Sequence, residues 1–176
     1  FKHATYKQLG KYETEDQIAA AKYLGNKPYI DENNIGIFGW SYGGYMSSLC
    51  ITKGADVFKS AIAVAPVTNW RYYDNIYTER FMQKPQDNGE NYDINSPINQ
   101  VEKLKGNYLL IHGTADDNVH FQNATEMVSA LVNKNKQFEF FAYPDKNHGI
   151  YGGFTRLHLY TKMTNFLMET LMEDNE

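Results

Sequence analysis

Gly39-Trp40-Ser41-Tyr42-Gly43 stands where a short apolar run, Ile35 to Trp40, gives way to a stretch of helical character over residues 42 to 53 that Gly54 closes. A serine held at such a junction needs a turn so sharp that side chains two residues before and after it would collide. Glycine is therefore expected at both 39 and 43, with Gly44 easing the turn further. A strand that feeds a helix in this way returns to a parallel sheet, so the rest of the chain should alternate between strands and helices.

The remaining segments follow that alternation. Ser60 to Pro66 reads as a buried strand, YLLIH at 108 to 112 as a third, and Phe138 to Tyr143 as a fourth. Residues 121 to 134 carry Phe121, Ala124, Val128 and Leu131 at helical spacing, and a closing helix is expected over about 155 to 172. Ahead of the first strand, Thr14-Glu15-Asp16-Gln17 has the spacing of a capping box and predicts a helix reaching about Leu24. Residues 67 to 100 are polar and aromatic without a clear period. The expectation is an α/β chain with about four parallel strands and flanking helices.

A net charge of −4 without long charged runs gives no electrostatic reason to expect nucleic acid or an anionic membrane as a partner. No stretch approaches the roughly 20 apolar residues of a membrane span. Cys50, the only cysteine, lies in an apolar helical stretch and reads as a buried small hydrophobe with no internal disulfide available. Asn123-Ala124-Thr125 is a glycosylation sequon, relevant only in a eukaryotic secretory host.

A serine hydroxyl is a poor nucleophile without a base, and the base needs an acid to hold its tautomer. Those partners follow in the order of the α/β-hydrolase fold, Ser then Asp then His, each just past the C-terminal end of a different expected strand. Asp116 and its neighbour Asp117 compete for the acid in His112-Gly113-Thr114-Ala115-Asp116-Asp117. His148 is the base in Asp145-Lys146-Asn147-His148-Gly149. The turn also presents the Tyr42 backbone N–H, near a helix N-terminus, to a developing oxyanion. His3, His112, His120 and His158 read as solvated or capping side chains. No spacing of His, Cys and carboxylates suggests a metal site or any other cofactor.

GWSYGGY, then Trp70-Arg71-Tyr72-Tyr73-Asp74 with Tyr77-Thr78-Glu79-Arg80-Phe81-Met82, then LLIHGTADDNVHFQ and NHG resemble the dipeptidyl peptidase IV and fibroblast activation protein branch of the prolyl oligopeptidase family. The resemblance covers nearly the whole chain. It makes Asp116 the acid and His148 the base, and it implies a serine peptidase that releases N-terminal dipeptides after a penultimate proline or alanine. It makes Trp70, Tyr73 and Tyr77 the walls of the proline subsite, completed by Tyr42, Val67 and Val119, with Tyr73 and Tyr77 facing each other across it. Asn118 matches the family asparagine that holds the backbone carbonyl of the substrate's second residue.

The same resemblance implies that residues 1–176 form the C-terminal part of a catalytic α/β-hydrolase domain, cut inside the domain at Phe1. The N-terminal half of that domain would supply a second oxyanion donor, and a β-propeller the glutamates that bind the substrate's amino terminus. It further implies peptide substrates, self-association as a homodimer or larger, and a periplasmic, secreted or cell-surface parent. Two other readings remain: a segment that is silent on its own, and an esterase or endo-acting prolyl peptidase of the same fold.

Overall fold

The computed structural model describes residues 2–172. Its centre is an all-parallel sheet of four strands in chain order: β1 (Gly36–Trp40), β2 (Ser60–Val64), β3 (Asn107–Gly113) and β4 (Glu139–Tyr143). Every connection is therefore a helical crossover. Ahead of β1 lie α1 (Lys2–Thr5) and α2 (Lys11–Gly25), and α3 (Tyr42–Lys53) joins β1 to β2. Between β2 and β3 run α4 (Asn75–Met82) and α5 (Pro85–Ile94), flanked by 3-10 turns at Trp70–Tyr72 and Pro97–Lys103. The helix α6 (Gln122–Asn133) precedes β4, and α7 (Thr155–Leu167) closes the chain through a π-helical turn at Met168–Met172.

Strands covered on both faces read as unbroken apolar runs, and β2 is buried at every position. Alternation then divides the side chains between two cores. Ala61, Ala63, Tyr108 and Leu110 join the cluster that holds Leu49 and Ile51 of α3 with Met127 and Leu131 of α6. Ile62, Val64, Leu109 and Ile111 join Leu159, Met163 and Phe166 of α7. Cys50 is fully buried in the first cluster, and burial pushes its thiol up to about 12.

One expectation is corrected, and two segments gain detail. The α2 helix begins at Lys11, before the expected cap: Thr14 lies inside it and donates its hydroxyl to the Gly10 carbonyl. Gly10, with φ of 84°, takes the capping position, and its N–H donates to Glu13 at 3.1 Å. Residues 67 to 100 hold two short helices, and α5 breaks its own periodicity at Asn88, with φ of −147°. The sequon is closed by folding. Asn123 is buried, its Oδ1 accepts the Thr68 N–H at 2.9 Å, and its Nδ2 donates to the His120 carbonyl at 3.1 Å.

The sheet ends on β1 and β4. On β1, Phe38 is 48% exposed. A concavity of about 730 Å³ runs beside this edge and is lined in part by Ala21, Leu24, Ile30, Ile35, Ile37 and Leu171.

Candidate active site

Ser41 follows the last residue of β1 with φ of 58° and ψ of −117°, a backbone region that residues other than glycine avoid. The surroundings enforce it. Its N–H extends the sheet ladder to the Val64 carbonyl at 2.8 Å, and its own carbonyl accepts the Tyr45 N–H at 3.0 Å as the first bond of α3. A Cβ on Gly39 would lie 2.0 Å from the Gly43 carbonyl oxygen, whereas one on Gly43 would meet nothing within 4 Å.

The crowding is thus one-sided, which corrects the expected need for glycine on both flanks. Gly39→Ala is expected to cost about 3 kcal/mol or more, because it sets a methyl against immovable backbone. Gly43→Ala, in the first turn of α3, is expected to be neutral or to stabilise by up to about 1 kcal/mol. Thermal melts of the two variants test the asymmetry.

Asp116 and His148 lie just past the C-terminal ends of β3 and β4, on the sheet edge that also carries Ser41. His148 Nδ1 is 2.7 Å from Asp116 Oδ2, while Asp116 Oδ1 accepts the N–H groups of Asn118 at 3.0 Å and Val119 at 2.9 Å. Burial alone would raise this carboxyl. Hydrogen bonds from His112, His148 and the Asn118 N–H outweigh it and hold the group well below the usual carboxylate range. Asp117 is exposed and has no such partners among the described residues, so the geometry separates the two acids that the residues alone left open.

The base loop is tied to the elbow through the residue before the serine: the Trp40 indole N–H donates to the His148 carbonyl at 3.0 Å. Among the described residues no hydrogen bond joins Ser41 to His148. Such nucleophile–base contacts often tighten only on the way to the transition state. Tyr42 opens α3, where backbone N–H groups lack intrahelical acceptors, as an oxyanion donor requires.

His112 departs from the solvated or capping role expected of it. It is fully buried, with Nε2 2.8 Å from the Val119 carbonyl oxygen and 3.3 Å from Asp116 Oδ2. Two acceptors around Nε2 assign the hydrogen to that nitrogen, so His112 braces the loop that presents the acid. Its four-residue separation from Asp116, one at the strand end and one in the loop folding back, was the available signal. His158 pairs instead with the Tyr143 hydroxyl at 2.8 Å.

The expected pocket residues do come together. Trp70, 1% exposed, stacks on Tyr77 at 5.8 Å and meets Tyr42 at 5.7 Å, with Val67 and Val119 buried in the same cluster. Tyr73 and Tyr77 do not face each other across an open slot, however. Their rings touch edge to face at 5.3 Å and 89°, an arrangement aromatic quadrupoles favour, so they form one continuous wall. The Tyr73 hydroxyl donates to Asn118 Oδ1 at 2.7 Å, which leaves the Asn118 Nδ2 hydrogens to serve a carbonyl.

The chain as a whole is similar to known proteins. Mouse "Prolyl endopeptidase FAP" is 51% identical over 172 residues, covering 96% of this chain and 23% of the relative. "Dipeptidyl peptidase 4" of Felis catus is 46% identical over 95% of this chain and 22% of its own length. The crystal structure of Porphyromonas gingivalis dipeptidyl peptidase 4 superposes with a TM-score of 0.94 at 50% identity, over 96% of this chain and 24% of that one. The chain thus spans about a quarter of the length of the relatives it matches. The model of the prolyl oligopeptidase family matches residues 1–174, and the chain belongs to that family.

Proposed function

We propose that this chain carries the catalytic triad and the proline-side pocket of a serine exopeptidase that releases N-terminal dipeptides by cleaving after a penultimate proline or alanine. The observation that carries the reading is the pairing of the buried Asp116 with the partly exposed His148, at 2.7 Å, on the same sheet edge as the strained Ser41. Ser41 Oγ attacks the proline carbonyl while His148 Nε2 takes its proton and delivers it to the leaving amine, and a water deprotonated by the same nitrogen then frees the dipeptide from Ser41. Asp116 holds the Nδ1–H tautomer of His148, and the Tyr42 N–H stabilises the oxyanion. The pyrrolidine ring, flat and without a donor, lies against the wall of Trp70, Tyr73 and Tyr77, and Asn118 holds a substrate backbone carbonyl other than the one attacked.

The coverage of relatives, the open β1 edge and the apolar concavity beside it support a further part of the reading. Residues 1–176 form the C-terminal part of a larger catalytic domain, whose preceding half supplies the second oxyanion donor. The 176-residue segment alone is then silent, and a fluorophosphonate probe should fail to label its Ser41. The whole protein acts on peptides outside the cytosol, in the periplasm, in secretions or at the cell surface, and self-associates.

An endo-acting variant is favoured by one observation, the similarity to a mouse protein named as a prolyl endopeptidase. A Gly-Pro-anilide with a free amine and its N-acylated form separate the two: the exopeptidase reading requires the free amine, and equal cleavage of both would reassign the protein. In the same assay, Tyr73→Ala or Tyr77→Ala should raise the barrier for proline substrates by roughly 1 to 3 kcal/mol. An equal loss for a bulky apolar residue would show that the rings do not select proline.

A further inference from the structure

Glu13 lies on α2, away from the loops that carry the triad, yet it is bonded to the residue beside the nucleophile. Its Oε1 accepts the Tyr42 hydroxyl at 2.5 Å, and its Oε2 accepts the Gly10 N–H at 3.1 Å. A single carboxylate therefore ties the start of one helix to the side chain that follows Ser41. Its anchorage is firm. The Tyr45 hydroxyl lies 2.8 Å from the Leu9 carbonyl oxygen and 2.9 Å from that of Asn95, and a Cβ on Gly10 would fall 1.9 Å from the same hydroxyl. The start of α2 is thus stapled to α3 on both sides of Gly10.

Tyr42 has two parts in the site. Its backbone N–H is the oxyanion donor, and its ring begins a contiguous series, meeting Tyr45 at 5.4 Å and Trp70 at 5.7 Å, with Tyr77 stacked beyond. A phenol held only by ring packing can slide and tilt. One that also donates a short bond to a carboxylate is fixed at its far end, by the stronger, charge-assisted class of hydrogen bond. Burial and this bond both hold the Tyr42 hydroxyl in its protonated, donating form.

We propose that Glu13 is a positioning residue for this site: by anchoring the Tyr42 hydroxyl it sets the tilt of the pocket ring against Trp70 and the direction of the Tyr42 backbone N–H. The proposal rests on the pocket reading given above. Its rival is that Glu13 only caps α2 through Gly10, a role that Tyr42→Phe leaves untouched.

The test is a double-mutant cycle in the full-length protein, with Gly-Pro- and Gly-Ala-anilides as substrates. Tyr42→Phe and Glu13→Ala are each expected to lower kcat/KM for the proline substrate about tenfold, the size for a lost hydrogen bond to a charged group. The double variant should be no worse than either single one, within about twofold, because both remove the same contact. Glu13→Gln keeps a bond to Tyr42, since its oxygen can accept the Gly10 N–H while its NH₂ donates to the Tyr42 hydroxyl oxygen, and should stay within about threefold of the parent. The preference for proline over alanine should shrink in Tyr42→Phe and Glu13→Ala, a change that a lost helix cap does not produce.

Parental behaviour of Tyr42→Phe, additive losses in the double variant, or an unchanged proline preference would each overturn the proposal. If Glu13→Ala does not fold, Tyr42→Phe and Glu13→Gln still decide it. Ser41→Ala keeps the two levels apart. Turnover that survives it removes the functional reading and the proposal together, whereas lost turnover with a flat cycle removes the proposal alone.

Discussion

Asp116→Asn in the full-length protein is expected to lower kcat for a Gly-Pro-anilide by about 10⁴, Ser41→Ala to abolish turnover, and Asp117→Asn to change it only a few-fold. The size of the first effect follows from how the Asp116 oxygens are used. Oδ1 accepts two backbone N–H groups, from Asn118 and Val119, so an asparagine would turn its oxygen to them. Its NH₂ would then occupy the place of Oδ2, facing His148 Nδ1 at about the present separation of 2.7 Å. A donor in that position forces the His148 hydrogen onto Nε2, the atom that must accept the proton of Ser41, and the base is held in the wrong tautomer.

His112 compounds the effect. Its Nε2–H lies 3.3 Å from Oδ2 and would meet a second donor there. Asp117, exposed and outside this network, has no comparable route to the chemistry. Single-turnover kinetics on the three variants checks the ranking. If Asp117→Asn is the slow enzyme and Asp116→Asn the fast one, the acid has been misplaced by one residue.

The sheet could be read from sequence because its strands are covered on both faces, so SAIAV and YLLI appear as plain apolar runs whose ends are marked by the residues that turn. Triad members stood out for a related reason: a parallel sheet delivers every strand end to one edge, so position after a strand already carries information about proximity. Features that depend on contacts between distant segments were not legible. Thr14 matches a cap by spacing, but Gly10, pinned by Tyr45 from another helix, takes that position. His112 and Asn123 look like surface residues in isolation, and only the folding back of the loop after β3 buries them. Glu13 belongs to the site through a tyrosine 29 residues away, a pairing no local pattern reports.

Expressed alone, the 176-residue chain is expected to sediment as a dimer or larger at micromolar concentration, and Phe38→Lys to shift it towards a 20.3 kDa monomer. The two sheet edges differ in how they are protected. On β4, Glu139 pairs with Lys162 at 3.2 Å, and that lysine also lies over Phe141 at 5.4 Å, so charge guards the strand. The β1 sequence GIFGW has no charged side chain and leaves Phe38 half exposed beside the apolar concavity, so its outward N–H and C=O groups are a template for another chain. A lysine at 38 places charge on that edge without touching the β1–β2 register, in which Phe38 pairs with Ile62. Exposed Val132 on α6, Leu157 on α7 and Met172 beyond it offer an alternative surface. Sedimentation velocity separates the two: association that persists in Phe38→Lys runs through those helices, and a clean monomer of the parent chain would show that β1 is shielded without a partner.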